Sequence, residues 1–85
     1  MILRIVRAEV CGPHSLDLAF NDGTRKVVNV RSLLEGPVFE PLLHGDYFAR
    51  GTLDPVCGTV VWPNGADIAP EALHELAAEA QPVSR

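Results

Sequence analysis

The clearest alternation of apolar and polar residues lies at Ser15–Phe20, where it predicts a half-buried strand. One face of this strand carries the apolar side chains Leu16, Leu18 and Phe20. An earlier segment, residues 2–10, is rich in β-branched residues and contains neither glycine nor proline. It predicts a first strand, which Gly12-Pro13 ends.

The segment Asn21-Asp22-Gly23 is typical of a hairpin turn between two strands. A two-residue loop would pair Leu16 with Asn29, whereas a three-residue loop pairs Leu16 with Val28. We predict the three-residue loop, with Gly23 in the left-handed conformation, because a slip of one residue would expose the apolar side chains. Lys26 then lies on the apolar face, and we expect its ammonium group to stay in water.

The middle of the chain lacks a strand pattern. Residues 36–45 contain two prolines and two glycines, which predicts a loop. Its apolar anchors are expected to be Val38, Phe39 and Leu42. Short helical turns are predicted at residues 32–34 and 46–49.

A second hairpin and a helix follow. The hairpin strands are predicted at residues 51–53 and 59–62, joined by a turn that Asp54-Pro55 opens and Gly58 closes. The helix is predicted to begin at Pro70, because the first helical position needs no N–H. Its core-facing side chains are expected to be Leu73, Leu76, Ala77 and Ala80.

These elements predict an α+β fold. A mostly antiparallel sheet of about five strands consists of a three-strand meander and, after a loop-rich middle, the second hairpin, and the C-terminal helix covers one face. Residues 1–80 are expected to form a single domain and residues 81–85 a frayed tail. Because such a sheet has two open edges, self-association through an edge is one expected route to a homo-oligomer.

The charge of the chain limits its partners. The formal net charge is −4, and the seven lysines and arginines are scattered along the sequence. Nucleic-acid binding requires clustered cations, so we do not expect direct binding of DNA or RNA. A basic protein would be the complementary partner.

The sequence also predicts a location. It shows neither a secretory leader nor a long apolar run, so we expect a cytoplasmic protein with no membrane segment. Cys11 and Cys57 should then be reduced, and we expect both to pack as small apolar side chains.

The best candidate site is the turn that begins at Trp62. An indole beside the Asn64 amide, the Asp67 carboxylate and a flexible glycine could anchor a partner. The alternative is structural: Trp62 packs under the helix, and the polar side chains satisfy backbone N–H groups of the turn. The sequence leaves both interpretations open.

Support for catalysis or a cofactor is weak. His74 and Glu71 share a helix face, but two ligands do not make a metal site, and solvated histidines are the simpler expectation. Because no GxSxG motif or glycine-rich phosphate loop occurs, we predict no catalytic residue and no cofactor. The alternative is a small-ligand sensor or minor enzyme with a pocket formed by His44, Tyr47, Phe48 and Trp62.

The last helix carries a row of acidic residues: Glu71, Glu75 and Glu79. Like charges at this spacing repel each other weakly, which is compatible with a solvated face. The sharper interpretation is an acidic surface that binds a basic partner.

Three segments resemble one bacterial family: NDGTRKVVNVRSLLEGPVFEPL, YFARGTLDP and GTVVWPNGADIAPEAL. They are similar to domain of unknown function 2442 over roughly residues 1–76. The resemblance implies a small α+β domain without an assigned activity. Some relatives carry a helix-turn-helix segment, which this chain is expected to lack because it stops at Arg85, and others are encoded beside a small toxin-like protein. Relatives tend to have Asp where this chain has Ala69, and we expect Asp67 to cap the helix instead.

Together, the residues and the resemblance predict a non-catalytic interaction domain with an antitoxin-like role. Its partner would be another protein, a small basic one, bound at the Trp62 turn and the acidic helix face.

Overall fold

The computed structural model describes residues 2–78, which form five strands and two α-helices. The strands are β1 (Ile5–Val10), β2 (Ser15–Phe20), β3 (Arg25–Asn29), β4 (Thr52–Asp54) and β5 (Thr59–Val61). The helices are α1 (Gly45–Phe48) and α2 (Pro70–Glu75), and two 3₁₀ helices span Arg31–Leu33 and Glu40–Leu43. Among the described residues, no helix combines the length and hydrophobicity needed to span a bilayer.

The strands form two antiparallel sheets. One has the order β1-β2-β3, and the other contains β4 and β5. The prediction of one five-strand sheet is therefore wrong, although the meander and the second hairpin are both present. The two sheets meet where β1 lies beside β4 and β5, and the Ile5 N–H donates to the Gly58 carbonyl oxygen at 2.9 Å.

A bulge in β1 explains how a strand without simple alternation fits the sheet. Ile5 lies opposite Phe20, but Arg7 lies opposite Ala19, so Val6 is an extra residue. The bulge reverses the inward and outward positions that follow it. Ile5 is therefore buried while Arg7 lies on the exposed face.

The hairpin of β2 and β3 has the predicted register. Leu16 lies opposite Val28 and Leu18 opposite Lys26. Gly23 has a φ of 93°, the left-handed conformation that the three-residue loop requires. These observations confirm the predicted register. It could be predicted because the alternation of apolar residues and the turn chemistry both favour the same pairing.

The core draws on every part of the described chain. Its buried apolar side chains are Ile5, Leu16, Leu18, Phe20, Val28, Val30, Leu34, Leu42, Phe48, Val60, Trp62, Ala66, Ile68 and Leu73. Leu42 anchors the middle segment as predicted, and Phe39 is half-buried. Val38 is not an anchor, contrary to the prediction, since 54% of it is exposed.

Helix α2 begins at Pro70, as predicted. Ala69 occupies the N-cap position and no side chain caps the helix, so the expected cap by Asp67 is wrong. The Asp67 backbone instead forms an isolated bridge with Val61.

Helix α2 is shorter than the apolar pattern suggested. It ends at Glu75, and Leu76 is extended with a ψ of 140°. Leu73 is fully buried, whereas Ala77 is exposed, contrary to expectation. The cover of one sheet face by this helix stays a prediction, and Ala80 and the predicted tail at 81–85 lie outside the described residues.

Candidate functional site

The loop that begins at Trp62 is a closed turn. The Trp62 N–H donates to the Ala66 carbonyl oxygen at 2.9 Å, and the Gly65 N–H donates to the Trp62 carbonyl oxygen at 2.9 Å. Gly65 has a φ of 87°, which favours glycine at this position. The backbone of the turn is therefore fixed by its own hydrogen bonds.

The Trp62 side chain belongs to the core. Only 3% of the residue is exposed, and its Nε1–H donates to the Phe48 carbonyl oxygen at 2.9 Å. The Trp62 and Phe48 ring centroids are 5.4 Å apart. These contacts are with α1, and they join the end of β5 to that helix. Trp62 also belongs to the same core cluster as Leu73 of α2, and its packing under the C-terminal helix stays a prediction.

Asn64 is exposed, yet both ends of its amide are used. Nδ2 donates to the Val38 carbonyl oxygen at 2.9 Å, and Oδ1 accepts from the Ala66 N–H at 3.0 Å. The side chain therefore ties the middle segment to the Trp62 turn.

Asp67, the acidic residue of the candidate site at this turn, is exposed.

The four residues of the alternative pocket differ in exposure. Phe48 and Trp62 are in ring contact and buried. Tyr47 is half-buried, with the Arg50 guanidinium carbon 5.8 Å from its ring centroid. His44 is exposed at the start of α1, where its carbonyl oxygen accepts from the Phe48 N–H at 2.9 Å. Two of the four residues are thus packed together in the core, and the other two lie nearer the surface.

The acidic residues of α2 are open to solvent. Glu71 and Glu75 are both exposed, one helical turn apart. Neither forms an ion pair with any residue in the range 2–78. Glu79, the third residue of the predicted row, lies outside the described residues.

A polar cluster that the sequence did not predict joins the β2–β3 loop to α2. His74 Nε2 lies 2.9 Å from Asp22 Oδ2 and 3.4 Å from Thr24 Oγ1. The imidazole also packs edge-on against Phe20, with ring centroids 4.9 Å apart. The expectation that His74 is simply solvated is wrong, because this half-buried ring is held by the loop.

Lys26 reaches the other end of the same junction. Its ammonium group donates to the carbonyl oxygens of His74 and Leu76, the second at 2.7 Å. It therefore satisfies carbonyls at the C-terminus of α2, where the helix dipole favours a cation. The expectation that this charge stays in water is wrong. The only signal of this contact in the sequence is the position of Lys26 on the apolar face of β3, because a buried ammonium group requires a hydrogen-bond acceptor.

His14 is also tied to the protein. Its Nε2–H donates to the Leu43 carbonyl oxygen at 2.8 Å, and its ring packs edge-on against Phe48 at 5.6 Å. In the described part of the chain, no group of three or more His, Cys, Asp or Glu residues could hold a metal ion.

Two aspartates owe their lowered pKa values to turn geometry. The Thr24 N–H, which donates to Asp22 Oδ1 at 2.9 Å, is the main reason that the pKa of Asp22 is below its usual value. The N–H groups of Val56 and Cys57 donate to Asp54 Oδ1 and lower its pKa. Both carboxylates therefore serve turns, as Asp commonly does.

The cysteines are exposed, contrary to the prediction that both pack inside. The charge of Asp54, followed by a hydrogen bond to it, raises the pKa of the Cys57 thiol. A raised pKa disfavours the nucleophilic thiolate.

Comparison with known proteins gives one family. The model for "protein of unknown function (DUF2442)" matches residues 5–79, which is nearly the whole chain. No curated protein and no solved structure matched the chain. The matched range includes both hairpins, the Trp62 turn and α2. The chain therefore belongs to the DUF2442 family of proteins of unknown function.

Proposed function

We propose that this domain is a non-catalytic interaction module that binds another protein, a small basic one, through the exposed acidic residues of α2. The role would be regulatory and antitoxin-like: the domain masks the basic surface of a protein encoded beside it.

One observation carries the proposal: several polar side chains that could take part in catalysis or ligand binding are already hydrogen-bonded within the fold. Asn64 and His14 bind backbone carbonyl oxygens, and His74 binds Asp22. Glu71 and Glu75, by contrast, are exposed and form no ion pair within residues 2–78. Their carboxylates therefore remain available to a cationic partner.

The net charge of −4 supports a basic partner, because charge complementarity speeds encounter and disfavours wrong partners. The raised pKa of the Cys57 thiol supports the non-catalytic half of the proposal, because it makes this exposed cysteine a poor nucleophile at neutral pH.

The first experiment is copurification. The tagged chain is expressed in its native host, captured at low salt and eluted with a salt gradient. A basic polypeptide should elute as the salt concentration rises, because ion pairs at exposed sites are screened.

The second experiment measures the affinity for that polypeptide. A variant with Glu71→Lys and Glu75→Lys should bind at least about tenfold more weakly. The matched control carries Glu35→Lys and Glu40→Lys, the same charge change at two exposed positions outside α2, and it should lose much less affinity. Circular dichroism checks that both variants fold.

Equal losses in the two double variants would remove the α2 surface from the proposal. If no protein copurifies while Trp62 fluorescence responds to a metabolite panel, the interaction role is overturned in favour of a ligand site formed by His44, Tyr47, Phe48 and Trp62.

A further inference from the structure

Strand β3 presents an open edge. The Phe20 N–H donates to Thr24 O and the Val30 N–H to His14 O, so even-numbered residues of this hairpin bond to β2. The backbone groups of the odd-numbered residues therefore point away from β2: Arg25, Val27 and Asn29. Within residues 2–78, these outward N–H and C=O groups form no hydrogen bond.

The opposite edge of the same sheet is partly closed. The Ile5 N–H donates to Gly58 O, and β1 lies beside β4 and β5. In the part of the chain that the structure describes, β3 is thus the edge of the three-stranded sheet with free pairing capacity.

The cations that would normally protect such an edge are engaged elsewhere. Exposed edges are commonly blocked by lysine, proline or a bulge. Here the Arg25 guanidinium binds Asp17, with contacts of 3.2 and 3.4 Å, and the Lys26 ammonium binds the C-terminal carbonyls of α2. The strand contains no proline, and its register with β2 is continuous.

The edge is also complementary to itself. If a second copy pairs antiparallel about Val27, the outward groups of Arg25 face those of Asn29, and Val27 faces Val27. At all three positions the two facing residues then exchange both of their N–H···O=C bonds, which gives about six backbone hydrogen bonds. No cation lies directly opposite another cation, which avoids like-charge repulsion.

We propose that the chain forms a symmetric dimer in which β3 pairs antiparallel with β3 of a second copy, with the two-fold axis at Val27. This surface is distinct from the acidic residues of α2, so the dimer does not depend on the proposed function.

The test compares two substitutions at Val27 by sedimentation over a range of about 10 µM to 1 mM, where a small interface should associate. The native chain should approach twice its 9.2 kDa mass at high concentration. Val27→Pro removes an N–H that bonds to nothing within the described monomer, and proline is tolerated on edge strands. It should weaken the dimer at least about tenfold, while Val27→Thr, which keeps the N–H, should leave dimerisation nearly unchanged.

Amide exchange gives a second readout on the native chain. The N–H of Val27 should exchange quickly at low concentration and become protected as the dimer forms. If Val27→Pro does not fold, Val27→Lys replaces it and should weaken the dimer most at low salt, because two ammonium groups would meet at the axis.

A chain that stays monomeric at 1 mM would overturn the proposal. So would a dimer that tolerates both Val27→Pro and Val27→Lys, or a Val27 N–H that is protected equally at all concentrations. The last result would show that another segment of the same chain covers the edge.

Discussion

Gly51 lies against the face of the Trp62 indole, and Gly51→Ala tests how closely these two residues are packed. A Cβ at this position would lie 2.7 Å from Cε2, 2.8 Å from Nε1 and 2.9 Å from Cζ2 of the indole. Carbon atoms in good contact are about 3.5–4.0 Å apart, so the ring or the backbone must move.

The indole has little freedom to move. Its Nε1–H is bonded to the Phe48 carbonyl oxygen, and the Phe48 ring packs against it. Overpacking of this kind costs about 1–3 kcal/mol, and loss of the hydrogen bond adds about 1 kcal/mol. Alanine also restricts the unfolded chain more than glycine does, and this stabilises the folded state by about 0.4–1 kcal/mol, which offsets part of the loss. We expect a net destabilisation of about 2 kcal/mol, which for a domain of this size lowers Tm by about 8–16 °C.

Urea unfolding followed by the fluorescence of Trp62, the single tryptophan, measures this loss directly. Gly45→Ala is the matched control, since a Cβ at Gly45 in α1 would meet no heavy atom within 4 Å apart from its chain neighbours and the backbone of its own helix. It should leave stability unchanged or raise it by up to about 1 kcal/mol. In a Trp62→Phe background, where the contacting indole atoms are absent, Gly51→Ala should cost much less when unfolding is followed by circular dichroism.

The packing account would be refuted if Gly51→Ala lost less than about 0.5 kcal/mol, the usual range for surface changes. It would also fail if the cost were the same with and without the indole, because the two sites must then be uncoupled.

Three further results follow from other contacts. Lys26→Met should destabilise the fold by about 1 kcal/mol in thermal unfolding, less at high salt, because the last carbonyls of α2 lose their cation; an unchanged Tm would contradict this. Leu73→Ala should cost about 2–4 kcal/mol in urea, since the side chain is fully buried. The pKa values of Asp22 and Asp54 are lowered in the fold, so their stabilisation is present above the unfolded pKa near 4 and is lost as pH falls through the folded values. Asp54→Asn should therefore flatten the acid side of the stability profile, and an unaltered profile would exclude this carboxylate as a contributor.

Much of the local structure could be predicted from short-range signals. The register of β2 and β3 follows from alternation over six residues and one turn glycine. The start of α2 follows from Pro70, and the turn before β5 from Asp54 and Gly58, whose φ is 72°. Each signal involves residues that are close in the sequence, so no tertiary information was needed.

The candidate site was less predictable. The sequence singles out the Trp62 turn but leaves open whether the indole is exposed. The carbonyl oxygen that accepts from the indole N–H belongs to Phe48, 14 residues away in the sequence. The cluster of Asp22, Thr24 and His74 had no sequence signature, because its partners are 50 and 52 residues apart. Such contacts exist only after the β2–β3 loop and α2 come together.

The sequence by itself determined the strands, the turn types and the position at which α2 begins, because steric and hydrogen-bonding preferences act over a few residues. The tertiary structure alone decided that the strands divide into two sheets, that Val6 forms a bulge, and that Lys26 binds the end of α2. These outcomes depend on which surfaces are buried together, and a buried polar group finds its partner wherever the packed chain brings one within hydrogen-bonding distance.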